Sequence, residues 1–215
     1  MRFARSFLAS LFALAAVASF AAADPVAYRI DPGHSQVGFT IRHFFSRVSG
    51  HFGEFSGKVL LDEKNPAASS VEVEIKTASI NTNNERRDTD LKSPNFFSAD
   101  SFPTITFKST KVTPAEGGKL KIEGNLNMHG ITKPVTLDAS FLGSGATTMG
   151  GGRGMGVRAG WSATATVNRK DWGIIWNRTL DQGGTMLGDD VALAIDIEAV
   201  QEMPEGAKSA APAKK

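Results

Sequence analysis

The chain has 215 residues and no cysteine. That excludes thiol catalysis, a disulfide frame and a lipid-modified cysteine at an export cleavage site, so the fold must rest on its core. An excess of one charge is missing too. Setting aside Arg2 and Arg5 leaves 22 basic and 22 acidic residues, a balance of zero, whereas a nucleic-acid surface needs a strong basic excess. No apolar run spans a bilayer comfortably: Phe7 to Phe20 is only about 14 residues long, against about 20 for a transmembrane helix. Familiar catalytic motifs are absent. There is no GxSxG elbow, and Gly150-Gly151-Gly152-Arg153-Gly154 lacks the Gly-Lys-Ser/Thr ending of a phosphate loop. His34, His43, His51 and His129 form no HxH or HExxH pair, although His43 and His51 lie close enough in sequence to converge. Asp171, Asp181, Asp189 and Asp190 flank turns, where aspartate serves the backbone. No cofactor, metal or catalytic residue is expected. There is no internal repeat and no second composition block, so residues 24–203 are expected to form one domain.

The first 23 residues read as a cleavable export signal. Arg2 and Arg5 give a basic start, the short apolar run follows, and Ala21-Ala22-Ala23 offers small residues for a cut after Ala23. The expected location is therefore periplasmic or secreted. At the other end, residues 204–215 are rich in Ala, Pro and Lys without apolar period and read as a disordered tail.

Between these ends the dominant signal is alternation. Val71-Glu72-Val73-Glu74-Ile75-Lys76 puts every apolar side chain on one face of a strand and every charge on the other. The pattern returns from Phe55 to Leu61, Leu120 to Met128, Val135 to Phe141, Trp161 to Val167 and Val191 to Ile197. A short strand near Tyr28 and eight longer ones are predicted, near 35–43, 54–62, 70–80, 104–112, 119–128, 131–142, 157–168 and 190–201. Such strands bury their dry faces together in an all-β fold, an antiparallel eight-stranded barrel or a sandwich. His129-Gly130 suits a two-residue hairpin with Gly130 at positive φ. One short helix is expected from the capping box Thr82-Asn83-Asn84-Glu85 to about Lys92, before Pro94, on the surface or across a barrel mouth. Phe96-Phe97 and Phe102 are expected to plug one end. Gly143 to Gly156 reads as a mobile Gly-rich loop. The long connection from Arg169 to Asp190 carries Trp172 and Trp176, which either close the barrel bottom or serve function.

An eight-stranded barrel is the size at which the interior is either filled or holds one ligand. Small residues fall at inward positions: Gly124, Ala139, Ala159, Ala163, Ala165 and Ala199. Bulky ones share that parity: Phe39, Ile41, Phe55, Val73, Ile75 and Phe107 on the earlier strands, Leu126, Met128, Phe141, Trp161 and Ile195 on the later ones. Together they predict an apolar tunnel, against a solid core as the alternative. A tunnel in an exported protein suits a long hydrocarbon or an amphiphile, each buried CH₂ contributing about 0.8 kcal/mol. Its polar end would meet the mouth. Arg169 continues the inward parity of Val167 and is the first candidate for an anionic head group, with Arg178, Arg86, Arg87 and Lys92 behind it. His43 continues the parity of Val37, Phe39 and Ile41. It is expected to bond a backbone carbonyl or the polar group of a ligand.

Several phrases, in order, resemble the YceI family of bacterial secreted proteins: YRIDPGHSQVGFTIRH (28–43), GEFSGKVLLD (53–62), SINTNNERRDTDLKSPNFFSADSFPTITFKS (79–109), GNLNMHGITKPVTL (124–137) and NRKDWGI (168–174). Asp171-Trp172-Gly173 stands where the family usually has Asp-Phe-Gly. The resemblance implies a lipocalin-like barrel holding a polyisoprenoid or similar lipid, a link to stress responses, and no catalytic residue that carries over. The expected activity is thus binding without turnover. The partner is a long-chain isoprenoid or other amphiphilic lipid, with no nucleic acid and no membrane span, and a homodimer is left open. The rival reading is an enzyme acting on an isoprenoid or quinone-like lipid in the same cavity, with His43 as its acid–base group.

Overall fold

The structure is a computed structural model that describes residues 24–149 and 153–203. The export signal and the tail expected at 1–23 and 204–215 lie outside the described residues.

Eight strands close an antiparallel barrel: β1 (Val26–Ile30), β4 (Phe55–Leu61), β5 (Ser70–Lys76), β7 (Thr104–Pro114), β8 (Lys119–Met128), β9 (Ile131–Met149), β10 (Arg153–Asn168) and β11 (Leu187–Gln201), with β11 returning to β1. Burial follows the alternation. In β5 the charges of Glu72, Glu74 and Lys76 are exposed while Ile75 is buried; in β8 Gly124, Leu126 and Met128 are buried between exposed or half-buried neighbours.

Three further strands continue the sheet from β11. β2 (Gln36–His43) pairs with β11 through Leu187–Asp196, β3 (Ser46–Phe52) pairs with β2, and the two-residue β6 (Ile80–Asn81) pairs with the end of β3. β1 and β2 thus share one side of β11, β1 along its last residues and β2 along the rest. The β2–β3 hairpin is an excursion between β1 and β4 that carries the wall beyond the closed ring. β3 escapes the sequence patterning because its turn is Phe44-Phe45, which has none of the residues that mark a hairpin.

The structure differs from expectation in two further elements. The capping box is not formed. The helix α1 (Glu85–Lys92) is capped by Asn84, whose side chain accepts from the Arg87 amide, while Thr82 donates its backbone N–H and its hydroxyl to Asp88. The carboxylate at Asp88 simply outcompetes the one at Glu85 for Thr82. Nor is the Gly-rich stretch a loop. β9 runs to Met149 and β10 begins at Arg153, a long ribbon whose register slips between Gly154 and Val157, where Gly156 takes φ 85°. Glycine there supplies a bulge, not a coil. The β8–β9 turn matches expectation: Met128 faces Ile131, and His129 and Gly130 take φ 52° and 74°.

Candidate functional site: a greasy lumen with a polar rim

Inside the barrel lies a cavity of about 360 Å³, within the usual size range of ligand pockets. Its wall is aliphatic and aromatic. The polar side chains on it are His43, Thr82, Arg87, Asp90 and Arg169. A second cavity of about 250 Å³ lies against it, lined by Leu61, Val112, Leu120 and Phe141 among others, and sharing Val59, Val71, Ile122 and Trp161 with the first. Those four side chains form the boundary that the two cavities share.

Most of the expected lining residues come together here. Phe39, Ile41, His43, Val73, Ile75 and Phe107 line the main cavity, as do Leu126, Met128, Trp161, Ala163 and Ile195. Four do not, and each has a local reason. Phe55 is buried in the core, paired across strands with Ile75. Phe141 lines the second cavity and leans on Trp161 with ring centroids 5.6 Å apart. Ala165 lies opposite Leu193, whose larger side chain reaches the cavity in its place. Trp172 is only 2% exposed and donates its indole N–H to the Leu126 carbonyl at 3.2 Å, so it closes the core under the lumen.

Sequence reasoning missed part of the wall: Val48 comes from the unread strand β3 and Leu91 from the helix. Phe96 and Phe97, expected to plug one end, and Trp176 of the long connection line the cavity as well. Phe96 packs tilted against Trp176 with ring centroids 5.2 Å apart, and Phe97 meets Phe52 edge-on at 5.9 Å. The signal for these was the density of aromatics in segments that should be wet. Phe102 instead packs on His129 at the β8–β9 turn.

Arg169 is placed differently from the head-group role expected of it. It is 4% exposed and tied to the protein. Nε donates to the Gly188 carbonyl at 2.9 Å, Nη1 to the carbonyls of Ile174 and Trp176 at 2.6 and 2.9 Å, and Nη2 to Asp189 at 3.3 Å. Burial pulls its pKa down while Asp189 opposes that pull. Lys170 holds Asp189 ionised by donating to its other oxygen at 2.8 Å, which lowers the Asp189 pKa. The geometry makes Arg169 a brace that pins the 174–188 connection to the end of β10.

Arg87 presents itself better. It is half-buried, and Nε and Nη2 donate to the hydroxyl and carbonyl of Thr82 at 2.7 and 2.8 Å. Its Nη1 makes no hydrogen bond among the described residues, and the side chain lines the cavity. Residues 87, 90 and 91 share one helical face, which explains why a mostly polar helix contributes Arg87, Asp90 and Leu91 to the lumen wall. His43 is half-buried on the same wall, its ring edge-on to Phe44 at 4.6 Å. No carboxylate orients it among the described residues, as an acid–base histidine ordinarily needs. His51 pairs in register with Gly38 while Phe39 pairs with Gly50, so His51 points to the opposite face of the sheet from His43 and the two do not converge.

A second charge cluster lies apart from the lumen opening. Asp31, His34 and Glu198 come together, but the Arg158 guanidinium already sits between the acids, 2.8 Å from Asp31 and in contact with Glu198. Hydrogen bonds from Arg158 and then His34 hold the Asp31 carboxyl down to about 2. This is an ion-pair brace linking β10 and β11 to the β1–β2 turn. The outer face carries cross-strand pairs such as Lys108–Glu72, Lys121–Asp138 and Lys58–Glu202. A membrane-spanning barrel needs an apolar outer belt, which these charges interrupt, and no helix among the described residues is long and apolar enough to cross a membrane.

The chain matches known proteins over this whole region. A family model described as a YceI-like domain matches residues 28–199. Protein YceI of Salmonella arizonae is 41% identical over 178 residues, covering 81% of this chain and 87% of its relative. Among solved structures, Burkholderia cenocepacia BcnA aligns with a TM-score of 0.67 at 20% identity, over 80% of this chain and 99% of its own. The YceI protein of Campylobacter jejuni aligns at 0.60 with 29% identity, over 75% and 90%. A polyisoprenoid binding domain from Saccharophagus degradans aligns at 0.61 with 13% identity, over 82% and 99%.

Proposed function

This chain belongs to the YceI-like domain family, and from that premise we propose that it is an exported lipid carrier that encloses a long apolar ligand, a polyisoprenoid or similar amphiphile, without turning it over. The observation that carries this reading is the lumen, about 360 Å³ with an almost wholly apolar wall. The solved Saccharophagus relative is a polyisoprenoid binding domain, and the cavity suits the same kind of guest. The dry wall replaces the water around the hydrocarbon, at about 0.8 kcal/mol per CH₂. The polar head sits at the rim, where Arg87 keeps donors for an anionic group and His43 adds a further polar contact. The second cavity receives the far end of a longer chain. A bacterial periplasm suits the export signal read at residues 1–23, and a stress-response role follows the family resemblance; transcript levels under base or oxidant would test the latter.

Mass spectrometry of an organic extract of the purified protein tests the central claim. The expected result is a long-chain isoprenoid or related lipid in near-stoichiometric amount, recovered chemically unaltered. An empty extract, together with no uptake of added geranylgeraniol or geranylgeranyl phosphate, would overturn it. Lipid returned altered would move the reading to catalysis in the same cavity.

A further inference from the structure

The tip of the β2–β3 hairpin breaks two local rules at once. Two-residue hairpin turns favour Gly and Asn because they need positive φ. Here Phe44 takes φ 48°, and Phe45 beside it is 100% exposed. A bulky residue held at positive φ and an apolar ring held wholly in water are both unfavourable for the isolated fold. Directly behind the tip, Arg42 and Arg47 face each other in register. Like charges opposite one another destabilise a strand pair, and neither arginine forms an ion pair among the described residues. Arg42 donates to the carbonyls of Phe44 and Thr185, so its charge is fixed at the tip without an ion-pair partner among the described residues. Asp189 feels that charge but is already held by Lys170 and Arg169.

The lumen reaches this same end of the molecule. His43 lines the cavity one residue before Phe44, and the Phe44 amide donates to the carbonyl of Met186, another lining residue. Met186 in turn donates its amide to the backbone carbonyl of Arg178, so a third exposed arginine follows on the segment next to the tip. Ile175, 68% exposed, lies between the lining residues Ile174 and Trp176. The one acid on the adjoining turn, Asp181, is exposed and forms no ion pair among the described residues.

We propose that this rim of Phe44, Phe45 and Ile175, ringed by Arg42, Arg47 and Arg178, docks on an anionic lipid bilayer. The arginines meet lipid phosphates and Phe45 enters the headgroup–acyl boundary, the two signals that together give reversible interfacial binding. Charge complementarity selects this occupant: a neutral apolar partner would leave three arginines facing it without counter-ions. Docking rests on the carrier reading above, because it presents the lumen to the membrane from which a water-insoluble guest is drawn.

Two measurements separate the two ideas. In co-sedimentation, the full chain should pellet with phosphatidylglycerol–phosphatidylcholine vesicles, less with pure phosphatidylcholine, and less in high salt. Phe45→Ser should weaken anionic-vesicle binding about tenfold, as expected for withdrawing one aromatic side chain from an apolar phase; R42E with R47E should abolish it. In uptake of geranylgeraniol, Phe45→Ser should match the parent when the probe comes from detergent micelles and fall behind when it comes from vesicles. Failure to sediment with anionic vesicles overturns the docking proposal whatever the uptake shows. So does sedimentation that survives both substitutions, or a Phe45-dependent dimer in analytical ultracentrifugation without vesicle binding. Absence of uptake from micelles counts against the carrier reading alone, since sedimentation still decides docking.

Discussion

Arg169 and Arg87 both face the lumen, and their hydrogen bonds separate their jobs. Arg169 satisfies three backbone carbonyls in a buried setting. Arg169→Met would strand those acceptors, so we expect a loss of about 3 kcal/mol, each orphaned buried polar group costing about 1–3 kcal/mol. The midpoint of urea unfolding should fall at unchanged slope. Arg87→Met removes two hydrogen bonds, both to the buried Thr82, but Thr82 keeps its two bonds to Asp88, so stability should fall by less than in Arg169→Met. It should instead weaken binding of geranylgeranyl phosphate about tenfold, the lower end for a charge-assisted bond, while binding of geranylgeraniol stays close to the parent. Isothermal titration with the two probes checks this. Asp31 makes a pH prediction. Its folded carboxyl titrates at about 2, below its ordinary value, so it stabilises the fold fully above the unfolded value near 4 and loses that contribution as pH falls from there toward 2. Asp31→Asn should therefore flatten acid unfolding in that window, read as thermal midpoint against pH. At this scale parity was legible in the sequence: Arg169 does point inward. Its partners, Ile174, Trp176 and Gly188, were not, because a loop's carbonyl directions leave no trace in residue type.

Elements were read as far as periodicity reaches. The barrel strands announce themselves because one face is dry and the other wet, and their predicted cores coincide with the observed ladders. β3 has the same logic in Val48 and Phe52 but a turn of two phenylalanines, so turn chemistry hid it. The Gly-rich ribbon of β9 and β10 failed for the opposite reason. Its glycines resemble a loop, while its pairing, from Gly143–Gly160 to Met149–Arg153, is set by the neighbouring strands. Glycine matters most where strands crowd. A Cβ on Gly57 would stand 2.5 Å from the Glu72 carbonyl oxygen and 3.2 Å from Val73 Cα, both backbone, and 2.8 Å from Ile30 Cδ1. Backbone cannot rotate aside as a side chain can. Gly57→Ala should then cost about 2–3 kcal/mol, toward the upper end for overpacking, and lower the thermal midpoint by several degrees. Gly145 has open space around a built Cβ, so Gly145→Ala, in the same fold class of strand, should leave that midpoint nearly unmoved.

For the molecule as a whole, the decisive contrast is between its two faces. The outside carries ion pairs across neighbouring strands, and the inside has few polar side chains. A solid core would bring those inner faces together. Here the wall carries Ala139 and Ala163 where large residues would meet, and the excursion of β2 and β3 widens one end. Inner parity was legible from the alternation; volume was not, because it depends on strand tilt and on which small residues face one another. That dependence can be turned into a test. Ala163 lies opposite Ala139 and Ile195 on flanking strands and faces the lumen. Ala163→Trp would occupy the space a guest needs with new apolar contacts. If the lumen is an unfilled store, the variant should fold with a thermal midpoint equal to or above that of the delipidated parent, and carry no lipid through purification. If the interior were a filled core, the same substitution would overpack it and cost about 1–3 kcal/mol. Adding geranylgeraniol completes the comparison. Guest binding at 100 times the dissociation constant stabilises a folded state by about 2.7 kcal/mol, so the parent's midpoint should climb with ligand concentration while that of the tryptophan variant stays flat.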